Sequence, residues 1–123
     1  MPTPTQLGFV SLQVSDLDAS RQFYADVLGF QLVTPSPPDA CVFATQSGAL
    51  FAIRKPLVDL QATSQLGWGV ALWFGVSELA AFLERLEGKA PLIRGLQATP
   101  FGNTAIIADP DGYWLTLQET QTT

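Results

Sequence analysis

The tetrapeptide Val14-Ser15-Asp16-Leu17 recurs as Val76-Ser77-Glu78-Leu79, and this repeat decides the fold. In each copy an apolar, strand-like run precedes the tetrapeptide and apolar residues at helical spacing follow it. Each copy therefore ends a strand and begins a helix. Later in each half, Gly48 and the strand-like segment after it match Gly112 and its following segment at nearly the same offset. The chain is thus predicted to contain two copies of a strand–helix–strand–strand–strand unit.

The predicted elements give an α+β protein of one domain spanning all 123 residues. Module one covers about residues 7–55, a connector about 56–67 and module two about 68–120. The strands predicted from apolar runs and turn residues are Phe9–Val14, Phe30–Val33, Cys41–Thr45, Leu50–Arg54, Gly69–Val76, Pro91–Arg94, Thr104–Ala108 and Tyr113–Gln118. The first helix is predicted to begin after Asp16 and stop at Gly29, and the second to begin at Ser77 or Glu78 and stop at Gly88.

The composition excludes several classes of function. Apolar residues make up 47% of the chain and charged residues 14%, so a packed core is expected rather than disorder. The net charge is −5 and the six Lys and Arg residues are scattered, which argues against nucleic acid as a partner. There is one cysteine, Cys41, so no internal disulfide can form, and the first seven residues do not resemble a signal peptide. We expect a cytoplasmic protein that does not bind a membrane, since no apolar run is long enough to span one.

Two motifs bring a known family into view. The segment from Val10 to Leu17, followed by Phe23-Tyr24 and Leu28-Gly29-Phe30, resembles the opening of the vicinal oxygen chelate superfamily. The segments Phe101-Gly102-Asn103 and Asp109–Tyr113 resemble its closing signature. This superfamily includes glyoxalase I, the bleomycin-resistance proteins and the extradiol dioxygenases. The resemblance implies two βαβββ modules that form a concave, open, barrel-like sheet with helices outside, in a protein that forms a homodimer.

The resemblance also implies where a metal would bind, and the residues there are unsuitable. Enzymes of the family take ligands from up to four equivalent strand positions, which correspond here to Phe9, Ala52, Ala71 and Thr116. Phe and Ala have no donor atom, a Thr hydroxyl is a weak ligand, and the chain contains no histidine. A serine or cysteine nucleophile would likewise lack a histidine base. We therefore expect no metal, no other cofactor and no catalytic residue.

Strand alternation assigns a set of side chains to the inward face, where a ligand would lie. The predicted ligand-binding residues are Phe9, Ser11, Gln13, Arg54, Trp73, Trp114 and Thr116. Gln118 shares the inward face of the last strand, and Trp68, beside the connector, is expected to line the mouth of the cleft from the partner subunit. Aromatic rings with a few polar side chains are typical of a small-molecule pocket. The alternative is that these tryptophans fill a core or a subunit interface.

The leading hypothesis is a metal-free protein that sequesters an antibiotic or metabolite, similar in character to the bleomycin-resistance proteins. Its ligand would be a small aromatic or cationic organic molecule, because indole rings stack on flat rings and attract cations. One alternative is a metal-free isomerase or lyase of the same fold that uses Arg54, Gln13 or Tyr113. Another is an accessory subunit with a vestigial cleft.

Overall fold

A computed structural model describes residues 3–120, which form two compact units that divide between Leu60 and Gln61. Each unit contains one four-stranded mixed sheet and one α-helix, in the order βαβββ. The predicted α+β class and the predicted repeat are therefore confirmed. The assignment of both modules to a single domain stays a prediction.

In the first unit the helix follows the first strand and precedes the second along the chain. The elements are β1 (Phe9–Gln13), α1 (Leu17–Gln22), β2 (Gln31–Leu32), β3 (Ala40–Ala44) and β4 (Leu50–Arg54). The strand order is β1-β4-β3-β2, in which β1 pairs with β4 in parallel and the other pairs are antiparallel. The first and last strands of the unit are therefore neighbours.

Helix α1 begins as the sequence predicts and ends in an unusual way. The Asp16 carboxylate accepts a hydrogen bond from the backbone N–H of Ala19 at 3.1 Å, which satisfies one donor of the first turn. The chain then continues through a π-helical turn over Phe23–Val27, and Gly29 ends it with a φ of 85°. Strand β2 follows immediately after this turn.

An aromatic cluster fills the core of the first unit. Tyr24 and Phe43 are fully buried and Phe51 nearly so, and the ring of Tyr24 lies 5.0 Å from that of Phe51 and 6.0 Å from that of Phe43. Phe30 contacts the same rings from the end of the helical segment. Packing of this kind contributes about 0.5–1.5 kcal/mol per ring pair beyond area burial. The cluster packs the helix-side face of the sheet, so the opposite face is the one available to a ligand.

The second unit repeats this arrangement. A short 3₁₀ turn (Leu60–Ala62) precedes β5 (Leu72–Val76), α2 (Leu79–Leu86), β6 (Leu92–Thr99), β7 (Gly102–Ala108) and β8 (Trp114–Glu119). The strand order β5-β8-β7-β6 is the same as in the first unit, with β5 and β8 parallel. Buried aliphatic side chains of α2, β7 and β8 form the core on the helix side, namely Leu79, Leu86, Ile107, Leu115 and Leu117.

Helix α2 takes its N-terminal cap from another strand. Glu78 occupies the capping position but makes no side-chain bond to the helix. Glu119, at the end of β8, instead accepts from the backbone N–H of Leu79 at 3.0 Å and from Asn103 Nδ2 at 3.0 Å. The hydrogen bond from the Leu79 backbone, and to a smaller extent the one from Asn103, hold the pKa of the Glu119 carboxyl below its ordinary value. The cap therefore ties the helix to the last strand.

Five predicted strands have different lengths in the structure, and the changes are largest in β2, β5 and β6. Strand β5 begins at Leu72 rather than Gly69, because residues 66–69 form a turn. Strand β2 has two residues rather than the predicted Phe30–Val33, because the π-helical turn occupies the chain up to Val27 and Gly29 follows it. Strand β6 runs over Leu92–Thr99 rather than ending at Arg94, because two register shifts break its alternation. The longest α-helix in residues 3–120 has eight residues, and none there is long and apolar enough to cross a membrane.

Candidate functional site

The sheet of the second unit presents two tryptophans on the face opposite its helix. Trp73 in β5 pairs in register with Thr116 in β8, and Trp114 lies two residues before Thr116 on the same face. Their backbones are therefore diagonal neighbours about 8 Å apart. Trp73 is 48% exposed and Trp114 43%, whereas Thr116 is only 9% exposed. The two indoles thus border a floor that includes the Thr116 hydroxyl.

Each indole is held by a second aromatic ring. The ring of Trp68 makes an edge contact with Trp114 at 6.4 Å between centroids, and Phe101 does the same with Trp73 at 6.0 Å. Edge-to-face geometry of this kind is favourable and restricts rotation of both rings. We call these four residues, Trp68, Trp73, Phe101 and Trp114, the aromatic platform. All four are exposed, and an apolar surface of this kind commonly marks a binding site.

Trp68 reaches the platform because the connector is fastened to the β7–β8 turn. Gln65 Nε2 donates to the backbone oxygen of Gly112 at 2.8 Å. Gly67 has a φ of +72°, and a Cβ there would lie 3.1 Å from the Tyr113 ring. Both the backbone angle and the close approach therefore require glycine at this position. Trp68 follows directly and lies against Trp114.

Asp109 organises the β7–β8 turn from which Trp114 extends. Its carboxylate Oδ1 accepts from the backbone N–H groups of Asp111 and Tyr113, each at 2.9 Å. The side chain is buried and Gly112 completes the turn with a φ of 94°. The Asp-Pro-Asp-Gly motif thus forms the turn that fixes the start of β8.

Phe101 is carried by the turn between β6 and β7. The Thr99 hydroxyl accepts from the backbone N–H of Phe101 at 3.1 Å and donates to the Gly102 oxygen at 2.8 Å. Gln118 Nε2, on the same face of β8 as Thr116, donates to the Phe101 oxygen at 2.6 Å. These bonds draw the turn across the sheet toward Trp73, so the inward-facing Gln118 has a positioning role.

The remaining predicted residues lie together on the first unit's sheet. Phe9, Ser11 and Gln13 share the β1 face opposite α1, and Gln13 pairs in register with Arg54. The Gln13 oxygen accepts from the backbone N–H of Leu57 at 2.6 Å. It also accepts from the next N–H at 3.1 Å, so it anchors the connector. Arg54 Nε donates to the Lys55 oxygen at 3.2 Å. Phe9 is exposed and Ser11 lies beside the buried Ala52.

The residues at the family's metal-ligand positions do not fit a metal ion. Phe9, Ala52 and Ala71 supply no donor atom, and Thr116 supplies one neutral hydroxyl. Within residues 3–120, no group of three or more His, Cys, Asp or Glu side chains has the geometry to hold a metal. Cys41 lies in the helix-side core, and burial raises the pKa of its thiol, which makes it a poor nucleophile.

A separate concavity of about 420 Å³ lies on the helix side of the second unit. Leu83 and Leu86 of α2 line it together with Leu92 and Ile107 of the sheet, and Glu84 and Glu87 also border it. It is shallow and apolar and lies opposite the aromatic platform. The platform, not this groove, combines aromatic rings with polar side chains on one surface.

Three residues of this surface were not among the predicted ligand-binding residues. The sequence places Phe101 in a family motif, and an aromatic residue beside a glycine turn is the signal that points to it. The sequence predicts Arg94 at the end of a short strand and Thr104 at the start of another. In the structure, Arg94 Nη2 donates to Thr104 Oγ1 at 2.7 Å across β6 and β7.

Comparison with known proteins gives the family of this βαβββ fold. The family model described as Glyoxalase/Bleomycin resistance protein/Dioxygenase superfamily matches residues 6–117. The chain therefore belongs to this superfamily, as the sequence motifs indicate. A comparison with curated proteins found no significant match.

Solved structures share the fold at low sequence identity. A glyoxalase-related enzyme from Fulvimarina pelagi is 26% identical, with a TM-score of 0.74 over 95% of this chain and 89% of that one. TnmS3, an antibiotic binding protein from Streptomyces sp. CB03234, is 22% identical, with a TM-score of 0.75 over 100% of both chains. A lactoylglutathione lyase from Agrobacterium tumefaciens is 21% identical, with a TM-score of 0.67 over 96% of both chains. Binding proteins and enzymes are thus both found on this fold.

Proposed function

We propose that this protein binds and sequesters a small aromatic molecule, such as an antibiotic or a metabolite, without a metal ion. The observation that carries the proposal is the aromatic platform, in which two exposed indoles border Thr116 and each is held by another ring. Rings that are already fixed lose little side-chain entropy when a flat ligand stacks on them. The antibiotic-binding relative with the same fold adds support.

The donor chemistry supports binding rather than metal-dependent turnover. The ligand positions of the family's metal enzymes carry Phe9, Ala52, Ala71 and Thr116 in this chain. Both polar side chains of the first sheet face bond to nearby backbone, Gln13 to the connector and Arg54 to the oxygen of Lys55. Elemental analysis of protein purified and then incubated with nickel, zinc or iron tests this point. Retention of one tightly held metal ion per chain would overturn the metal-free part of the proposal.

Tryptophan fluorescence tests ligand binding directly, because all three tryptophans of the chain belong to the platform. A panel of flat cationic, neutral and anionic ring compounds is titrated while the emission is recorded. We expect at least one compound to quench or shift the emission with saturation. Failure of every compound to do so would contradict the proposal.

Two variants and one control variant locate the bound compound. Trp73→Ala should weaken binding about tenfold or more, since stacking and burial of one ring are worth roughly 1.5–3 kcal/mol. The half-exposed position should tolerate the change without loss of fold. Leu57→Ala is the matched control, because Leu57 is an exposed apolar residue of the connector. Phe9→Ala then asks whether the first sheet face takes part.

We further propose that the protein acts in the cytoplasm as a homodimer. The family resemblance implies the dimer, and the exposed apolar side chains on both sheet faces, such as Phe9 and Trp114, support it. The single buried thiol of Cys41 suits a reducing compartment. Sedimentation equilibrium over a range of concentrations tests the dimer, and a monomer at all concentrations would refute it.

A further inference from the structure

Arg94 is aimed at the aromatic platform by an irregularity in strand β6. Leu92 pairs with Ile107, whereas Arg94 pairs with Ile106. Two residues that are two apart share a face in a regular strand, so the register shift between them places them on opposite faces. Leu92 joins the helix-side row, and Arg94 joins the row of Ile106, Thr116 and Trp73. The bulge therefore brings a cation onto the platform face.

The guanidinium is held above the sheet by a buried hydroxyl. Arg94 Nη2 donates to Thr104 Oγ1 at 2.7 Å, and Thr104 is fully buried. Because Thr104 lies in β7, the side chain reaches inward from the edge strand toward the centre of the sheet. One bond to a neutral hydroxyl leaves the other guanidinium N–H groups available to a ligand.

On the inward face of the second sheet, the Arg94 guanidinium has no acidic neighbour in register with it. None of the residues that the strand register places on the inward face of the second sheet is acidic. No carboxylate within residues 3–120 forms an ion pair with Arg94. The net charge of −5 favours cations at long range, but salt screens that field beyond about 8–10 Å. The local guanidinium therefore decides which charge is accepted on the platform.

We propose that the ligand is an aromatic acid whose ring stacks at Trp73 and whose carboxylate, or a similar planar anion, is bound by Arg94. This inference rests on the proposed function and names its ligand class. Thr104, which holds the guanidinium, lies two strands across the sheet from Gly75, and Trp73 is two residues further along β5, so the two backbone positions are about 12 Å apart. A ligand of two linked rings that ends in a carboxylate spans this distance. The guanidinium fork matches a carboxylate with two parallel hydrogen bonds.

Biphenyl-4-carboxylate and its uncharged analogue biphenyl-4-carboxamide form the matched probe pair. Calorimetric titration of the full chain should show the carboxylate binding about tenfold more tightly than the carboxamide, which is typical of a charge-assisted pair. Arg94→Gln should abolish this preference while leaving carboxamide affinity within about twofold of the wild type. Added salt should weaken carboxylate binding to the wild type but not to the variant.

Thr104→Val separates positioning from charge. It keeps the cation but removes the hydroxyl that holds it, so the carboxylate preference should fall while carboxamide binding is retained. Equal affinity of the two probes for the wild type, or an equal loss of both in Arg94→Gln, would overturn the inference and leave aromatic binding intact. Binding of neither probe would also overturn it, and the proposed function would then be judged by the wider panel and Trp73→Ala.

Discussion

Replacing Asp109 with alanine is the sharpest test of how the platform is built. The carboxylate accepts two backbone hydrogen bonds inside the β7–β8 turn, from Asp111 and Tyr113. A hydrogen bond to a charged acceptor contributes about 1.5–3 kcal/mol, and the freed amides are only partly able to reach water. We therefore expect Asp109→Ala to lower the free energy of unfolding by about 3 kcal/mol. For a chain of this size that corresponds to a fall in Tm of about 10 °C.

Calorimetric melting measures this loss, and Asp109→Asn is the matched control. Asparagine keeps an oxygen acceptor at the same place but loses the charge, so about half of the destabilisation is expected. Because the turn sets the start of β8, the alanine variant should also bind aromatic compounds more weakly through displacement of Trp114. A fall in Tm of less than about 2 °C for Asp109→Ala would refute the assignment of this carboxylate to the turn.

Three further changes test other parts of the structure. Gly67→Ala should destabilise the protein and alter the tryptophan emission, because alanine disfavours a positive φ and its Cβ would press on the Tyr113 ring. Unchanged emission and stability would contradict the close approach of Gly67 to that ring. The bonds that lower the pKa of Glu119 stabilise the fold above the ordinary carboxyl pKa, and this stabilisation is lost as pH falls through the lowered pKa. Urea denaturation of the wild type between neutral and acidic pH should show this loss, and Glu119→Gln should show a smaller one. Phe43→Ala should cost about 3–5 kcal/mol in the same assay, since the ring is fully buried in the aromatic core, and a cost below about 1 kcal/mol would disprove that packing.

Most of the secondary structure follows from patterns visible in the sequence. The Asp16 cap and the stops at Gly29 and Gly88 are local signals, because a carboxylate acceptor and a positive φ act within one turn of helix. The repeat gave the element order without any knowledge of packing. Strand alternation also placed Trp73, Trp114 and Thr116 on one face, as the register of β5 and β8 has them.

The parts that the sequence did not predict depend on breaks in periodicity. The bulges in β6 shift its alternation, so neither the length of that strand nor the direction of Arg94 could be inferred from apolar spacing. The π-helical turn at Phe23–Val27 similarly shortens β2. The bonds from Gln13 to the connector and from Gln118 to Phe101 join residues far apart in the chain, and composition gives no signal of them. Whether the predicted ligand-binding residues contact a ligand stays a prediction.

Within each unit the first strand pairs with the last, and this has a consequence for the evolution and engineering of the fold. Every strand of each sheet comes from one contiguous half of the chain. The parallel pairs β1–β4 and β5–β8 join the first strand of each half to the last strand of the same half. Duplication of a single ancestral gene segment would therefore have delivered a complete hydrogen-bonding ladder in each copy. A modern chain cut between Leu60 and Gln61 would keep both ladders whole, so co-expressed halves offer a route to swapping one module while the other is left unaltered.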